Sequence, residues 1–466
     1  MSKNSRQPRL SSLDASFLEV ETPTAHMHVG WVALFDPRSE GPRPGFHELR
    51  RHVEARLARA PRYRQKLGFT PFGLHDPIWV DDPAFDLARH VRHSAARDVD
   101  RLTERVFSTP LDRDRPLWEL WIADQLEDGR LAVAGKAHHC MVDGIAAVEL
   151  ASLFLDPVPD PEIPPSDSWR PMPVPGRLSL LRRAARDRVA EQLDLVRLPA
   201  RIARSPRRIA RAPAGLGGVA RSLLHSFTPP ARPSMLNQPS SPLRHLARTQ
   251  RSMAELIPIK RHFGATVNDV VLAASTGGLR RYVKRHGEAP QPLKAMVPVS
   301  VREDRSASDL GNQVSFLFIE LPCDEPEAVR RLEDIQMIMS ERKETGEPRG
   351  SKAVLEALRF APHRVQHAVS HVIADQRTFN VVVSNIPGPR EQLYMAGCPL
   401  REAYPIVPLA DHHGVAIGFT SVCGTGCFGV YVDRVSVPDA DALARDIDAS
   451  LDELLASVAE PAPVLG

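Results

Sequence analysis

An α/β protein with more than one domain is the fold this sequence predicts, and three observations predict it. Short runs of β-branched and aromatic residues are interspersed with longer runs whose apolar positions recur at helical spacing. At 466 residues the chain exceeds a single ordinary core, so two or three domains follow from length. A stretch dense first in proline and then in arginine separates the two halves. Hydrophobic residues make up 42%, enough for globular packing, and the formal net charge is only +3. No apolar run approaches the roughly 18 residues of a membrane span, and Met1-Ser2-Lys3-Asn4-Ser5-Arg6 lacks the apolar region of a signal peptide. The expectation is a soluble or peripheral cytosolic protein.

The first informative element is a hairpin. Pro116-Leu117-Trp118-Glu119-Leu120-Trp121-Ile122 reads as a buried strand, Glu127-Asp128-Gly129 as a turn, and Leu131-Ala132-Val133-Ala134-Gly135-Lys136-Ala137 as the returning strand. At its exit stands His138-His139-Cys140-Met141-Val142-Asp143-Gly144, an HHxxxDG heptad. An imidazole is the side chain best suited to take a proton near neutral pH, and an acid four residues on can hold the turn that aims it. If strand alternation persists, His139 shares a face with Leu131 and Val133, and His138 one with Ala132 and Lys136, so the two rings have different jobs. Asp143 suits the N-cap of a helix beginning at Ile145. The plainer alternative is a core histidine pair followed by a capped helix.

Five cysteines, Cys140, Cys323, Cys398, Cys423 and Cys427, are scattered and odd in number, which argues against a disulfide framework. Cys423 and Cys427 flank a hairpin turn rather than a zinc ion, since no second close pair completes a four-ligand site. Cys140 is a poor nucleophile candidate, because alternation turns it away from His139 and nothing nearby lowers its pKa. Asp411-His412-His413-Gly414 lacks the downstream Asp-Gly and reads as a polar loop.

Composition divides the chain into residues 1–155, 156–247 and 248–466. The middle part opens with Asp156-Pro157-Val158-Pro159-Asp160-Pro161, which cannot sustain regular structure. Between Arg177 and Arg232 lie 13 arginines and no lysine against three acids, so the basicity is local. Leu178, Leu181, Ala185, Val189, Leu193 and Val196 recur at helical spacing with arginines around them. This predicts a basic amphipathic helix that either lies on an anionic membrane surface or packs its apolar stripe on a domain. Stacking aromatics are missing, which disfavours nucleic acid.

In the last part, Thr266-Val267-Asn268-Asp269 has the form of a capping box opening a helix with Val271, Ala274, Leu279 and Tyr282 facing a core. Asp269 then serves as a cap, while Asn268 in the first turn could contact a reacting group. Met296–Arg302 and Val314–Ile319 read as strands joined through Gly311-Asn312. Val381-Val382-Val383 reads as a short strand delivering Ser384-Asn385 into a Pro-Gly turn, where both could donate to an oxyanion. Val415–Thr420 and Phe428–Asp433 form a hairpin, and a helix from about Asp439 to Val458 closes the chain with Leu443, Ile447, Leu451 and Leu454 on one stripe.

Five segments surround the heptad in a recognisable order: Ser11-Ser12-Leu13-Asp14-Ala15-Ser16-Phe17, Met27-His28-Val29-Gly30, Pro116-Leu117-Trp118, Val267-Asn268-Asp269-Val270-Val271-Leu272-Ala273 and Ser384-Asn385-Ile386-Pro387-Gly388-Pro389. Together they resemble the bacterial wax ester synthase/diacylglycerol acyltransferase family, over nearly the whole chain and most weakly from about Pro157 to Pro242. The resemblance implies two similar CoA-dependent acyltransferase-like domains with a channel between them, here joined by the basic helical linker. It implies an O-acyltransferase that moves a long-chain acyl group from acyl-CoA to diacylglycerol or a long-chain alcohol. His139 is then the general base, with His138 in support. Asp143 is structural, paired with an arginine for which Arg302 is the most similar position. Pro116, Leu117, Trp118, Ser384 and Asn385 are candidate substrate contacts, and Asn268 a candidate polar contact. Acyl-CoA is a co-substrate, with no metal or bound cofactor implied. The partners are the acceptor lipid and, through the linker, a membrane or lipid-droplet surface. Two rivals remain: a condensation-type enzyme that shares the heptad and uses a carrier-bound donor, and a lipid-binding protein on the same scaffold that turns nothing over.

Overall fold

A computed structural model describes residues 7–141, 154–162, 169–203, 229–300, 314–344 and 370–459. Asp143, Gly144, Arg302, the Gly311-Asn312 connection and the helix expected from Ile145 lie outside the described residues.

Two six-stranded sheets organise the chain. The first half contributes β1 (His28–Phe35), β2 (Gln65–Gly68), β3 (Ile78–Asp81), β4 (Val91–His93), β5 (Trp118–Ala123) and β6 (Leu131–His138). The second half contributes β7 (Arg244–Ser252), β8 (Leu293–Ser300), β9 (Val314–Leu321), β10 (Val381–Ile386), β11 (Tyr394–Met395), β12 (Cys398–Ile406), β13 (Val415–Val422) and β14 (Thr425–Asp433). One sheet runs β11-β12-β1-β6-β5-β4 and the other β7-β14-β13-β10-β8-β9, while β2 and β3 form a separate hairpin. The expected β5–β6 hairpin pairs antiparallel, Trp118 opposite Ala137 and Ala123 opposite Ala132. The expected β13–β14 hairpin closes through Cys423 and Gly424, both at positive φ as a tight two-residue turn requires.

One strand changes sides. β12 comes from the second half of the chain yet pairs antiparallel with β1, Gly30 opposite Ile406, and so completes the first sheet. It crosses the second sheet where Gly418 and Gly429 face each other in the β13–β14 register. A Cβ on Gly418 would stand 2.9 Å from the Pro405 side chain, and one on Gly429 2.4 Å from the Pro405 carbonyl. Only glycine admits that approach.

Helices pack on both sheets. α1 (Ser12–Glu19) starts at Ser11, whose hydroxyl accepts the Asp14 N–H at 3.1 Å. α2 (Phe46–Arg56) buries Leu49 and Val53 in a core with Ala33, Leu120, Ile122 and Val133 of the first sheet. α3 (Val99–Phe107) buries Leu102, Val106 and Phe107 against its opposite face. α4 (Arg177–Ala203) is the long basic helix. α5 (Met253–His262) and α6 (Val267–Arg285) both open with capping boxes; in α6 the Asp269 N–H donates to Thr266 Oγ1 at 3.2 Å and the Thr266 N–H to Asp269 Oδ2 at 2.8 Å. With α7 (Ala328–Glu344) and α8 (Ala440–Ala459), α6 covers the second sheet, burying Val271, Ala274, Leu279, Tyr282, Leu443 and Ile447. A third core joins the sheets, Val32, Leu34, Ala132 and Ala134 packing with Phe318, Val382, Ala416 and Tyr431.

Two expectations need correction. β10 runs on through Ser384 and Asn385 to Ile386, because those residues continue the parallel pairing with Gly418 and Phe419 of β13; they sit inside the strand and not in the turn after it. On α4 the residues turned inward are Leu180 and Ala184, with Leu180 packed on Ile78 and Val80, whereas Leu178, Ala185, Val189 and Leu193 are exposed. Contacts from the N-terminal segment select that face: Arg9 pairs with Asp187 at 2.8 Å and Arg183 donates to the Gln7 carbonyl.

Candidate active site

β6 ends at His138, and the next three residues, His139–Met141, form a single 3-10 turn. Alternation holds up to that point, so His138 shares its face with Ala132 and Lys136, as expected. His139 has left the strand. Its N–H donates to the Met27 carbonyl at 2.9 Å, while that of His138 donates to the Leu117 carbonyl at 3.0 Å. Met27 takes positive φ (47°), an unusual conformation for a residue with a side chain, held where the neighbouring structure fixes it.

The His139 ring stacks on Phe17 of α1, centroids 3.7 Å apart and planes inclined by 17°. Both line a cavity of about 140 Å³ between the sheets, walled also by Met27, Met296, Phe316 and Phe379. Burial lowers the His139 pKa to about 4, and the adjacent His138 pushes the same way. The imidazole is therefore neutral at pH 7 and able to accept a proton inside an apolar wall.

His138 does a different job. It is buried, and its Nδ1 accepts the Cys140 N–H at 3.1 Å, bracing the turn on which His139 sits. Burial lowers its pKa to about 3, with Arg113 acting in the same direction. A neutral ring whose Nδ1 accepts carries its proton on Nε2, which lies 3.4 Å from Glu21 Oε2. Glu21 is in turn paired with Arg113. His28 faces His138 across the β1–β6 register, and burial holds it neutral too. Cys140 is buried, and its thiol is pushed well above the ordinary range by that burial, so it does not supply a thiolate.

The other sequence candidates distribute unevenly. Leu117 and Trp118 are core residues: the Trp118 indole donates to the Tyr63 carbonyl at 2.7 Å, its ring lies edge-on to Tyr63, and neither residue lines the cavity with His139. The Leu117 carbonyl accepts the His138 N–H and so holds the end of β6, and Pro116 is likewise absent from the cavity wall. Ser384 is buried and shares the β10 face of Val382, which does line the cavity; Asn385 belongs to the opposite face. Asn268 is half-buried in the first turn of α6 and is not part of the cavity wall. His413 sits in the expected loop but is buried, stacked on Phe379 at 4.0 Å with its ring nitrogens on the Asp411 and Phe379 carbonyls. It props up a wall residue. Among the described residues no group of three His, Cys, Asp or Glu side chains is placed to hold a metal ion.

Most of the wall went unread in the sequence, because single residues from distant strands supply it. The signal for Met296 and Pro298 was present in β8: they alternate with Ala295 and Val297 of the outer core, so their face had to meet something else. Nothing local announced Phe379 or Val407.

Two sheets sharing a central core, with a histidine-bearing cavity between them, define a two-domain acyltransferase fold. The structure superposes on the wax ester synthase/diacylglycerol acyltransferase from Marinobacter aquaeolei VT8 with a TM-score of 0.70 and 25% identity, covering 97% of this chain and 100% of that one. The first condensation domain of the CDA synthetase shares the fold at a TM-score of 0.59 and 17% identity, over 99% and 98% of the two chains. The family model for the wax ester synthase/diacylglycerol acyltransferase catalytic domain matches residues 10–271, and the model for the C-terminal domain of the same family matches residues 310–455. The chain belongs to this family of acyltransferases. Relatives from Mycobacterium tuberculosis carry the name diacylglycerol O-acyltransferase: one is 32% identical over 96% of this chain and 90% of its own length, and another, tgs1, is 33% identical over 96% of each.

Proposed function

We propose that the protein transfers a long-chain acyl group from acyl-CoA to the hydroxyl of diacylglycerol or a long-chain alcohol, giving triacylglycerol or a wax ester, with His139 as general base. The observation that carries this reading is a neutral imidazole on the wall of an apolar cavity between the two sheets. His139 takes the acceptor's proton as its oxygen attacks the thioester carbonyl. The tetrahedral oxyanion collapses, the C–S bond breaks, and the imidazolium returns the proton to the departing thiolate. No acyl-enzyme forms, in keeping with the raised pKa of Cys140.

His138 positions the His139 turn through the Cys140 N–H. Ser384, on the cavity side of β10, is better placed than Asn385 to donate to the oxyanion. For Asn268 the capping turn supports a local role in the start of α6. The family resemblance supports a structural Asp143 paired with Arg302. The arginines of α4 support attachment to an anionic membrane or lipid-droplet surface, where acceptors that barely dissolve in water are found. No described helix is long and apolar enough to cross a membrane.

The test is release of free thiol from palmitoyl-CoA with and without hexadecanol or dipalmitoylglycerol. Acceptor-dependent release with formation of the ester is expected. Activity only with a carrier-protein thioester, or acyl binding without turnover, would overturn the reading.

A further inference from the structure

The β2–β3 hairpin is apolar on two sides. Inward, Leu67 and Trp79 pack with Ala15 of α1, Leu117 and Cys140, next to the turn that carries His139. Outward, the connecting loop exposes Phe69, Phe72 and Leu74, and Phe72 is 91% exposed. Among the described residues twelve large hydrophobic side chains stand out in solvent, and seven of them fall in this loop or in residues 174–193: Phe69, Phe72, Leu74, Val174, Leu178, Val189 and Leu193. The two segments adjoin, since Arg188 Nε donates to the Leu74 carbonyl at 3.3 Å and Leu180 packs on Ile78 and Val80. Arg182 and Arg186 of α4 are exposed, at helical spacing from Leu178 and Val189.

Phe72 also has backbone φ of 59°. That left-handed conformation is unfavourable for a bulky side chain, and here it holds a phenyl ring out in water where it gains no packing. A clustered apolar surface of this kind marks a binding face. Guanidinium groups beside it fit one occupant: the interface of an anionic bilayer, with rings and aliphatic chains at the acyl boundary and arginines among the headgroups.

We propose that the 69–74 loop and α4 form one docking face for anionic bilayers, with Phe72 as the inserting residue. This rests on the lipid-surface attachment proposed above and deepens it by naming the inserting element and the charge class of the lipid. The inner side of the same hairpin packs on α1, whose Ser16, Phe17 and Val20 line the His139 cavity. Docking there brings the membrane to the flank of the active-site wall.

The experiment is co-sedimentation of the full chain with vesicles of phosphatidylcholine plus phosphatidylglycerol, or of phosphatidylcholine alone. Wild type is expected to bind the anionic vesicles and to be weakened by salt. Phe72→Asn, which tolerates the left-handed backbone, should reduce partitioning about tenfold or more, since a buried Phe ring is lost from the interface. Its melting temperature and its acyl transfer to a detergent-dispersed acceptor should not change. If Phe72→Asn binds like wild type while Arg182→Gln with Arg186→Gln does not, insertion by the loop is overturned and attachment through α4 stands. If wild type binds no vesicles yet transfers acyl groups in detergent, the docking face is overturned and the catalytic reading stands. A change in self-association with Phe72→Asn, at unaltered vesicle binding, would assign the face to a second copy of the chain and overturn the proposal.

Discussion

The imidazole of His139 lies flat on the ring of Phe17, 3.7 Å between centroids, so one face of the proposed base is covered by an aromatic side chain from a helix more than a hundred residues earlier. The contact keeps water from that face and contributes to the burial that lowers the histidine pKa to about 4. Phe17→Ala is therefore expected to raise this pKa toward the ordinary value near 6.5. The acid limb of kcat/KM should move to higher pH, with Phe17→Leu in between. An acid limb that stays in place in a folded Phe17→Ala protein would remove Phe17 from the account.

His138 is expected to act through geometry. His138→Ala leaves the buried Cys140 N–H without an acceptor, at a cost of about 1–3 kcal/mol. Asparagine can present an oxygen close to the position of Nδ1, so His138→Asn should recover part of the lost stability and activity. Thermal melts and steady-state rates of both variants check this; equal losses in the two would contradict it.

Buried histidines contribute to the acid stability. His52, His138, His139 and His413 have pKa values lowered by burial to about 4, 3, 4 and 4. Below pH 6.5 the unfolded chain binds protons at these sites and the folded chain does not. Their contribution is complete above pH 6.5 and is lost as pH falls toward 4 and 3. Melting temperature should decline steadily across that window, and a flat profile from pH 6.5 to 4 would contradict the prediction.

A second stability prediction concerns Asp433. Its carboxylate pairs with Arg244 at 3.2 Å, both side chains buried, and accepts from Ser241, Val435 and Ser436. Arg244 also reaches the Thr24 carbonyl in the first half of the chain. Asp433→Ala strands the guanidinium, and an expected loss of about 3–5 kcal/mol follows. Chemical denaturation measures it; a loss within the range of ordinary surface substitutions would show that water reaches the pair.

Local chemistry was legible in the sequence. The β5–β6 hairpin, the β13–β14 hairpin and the Thr266 capping box each rest on residues a few positions apart, although the turn between β13 and β14 falls on Cys423 and Gly424 and leaves Cys427 inside β14 instead of flanking it. The pairing of β12 with β1 was not legible, because it joins Gly30 to Ile406 and depends on the close approach at Gly418 and Gly429. On α4 the apolar spacing was read correctly as helical, but arginines surround that helix, so tertiary contacts rather than pattern decided that Leu180 and Ala184 face inward. Ser384 and Asn385 were misplaced by the Pro-Gly signal after them; hydrogen bonds to β13 carry the strand past both. The heptad pointed to His139 as the candidate base, whereas the cavity around it is assembled from Phe17, Met296, Phe316 and Phe379, which only the fold brings together.

We propose that His139 removes the acceptor's proton while His138 holds the turn. Acceptor-dependent thiol release from palmitoyl-CoA, measured for His139→Ala and His138→Ala proteins shown by thermal melt to be folded, tests it most directly. His139→Ala is expected to lose about 10²- to 10⁴-fold, the usual contribution of a general base, and His138→Ala clearly less. Equal residual rates in the two folded variants would contradict the assignment.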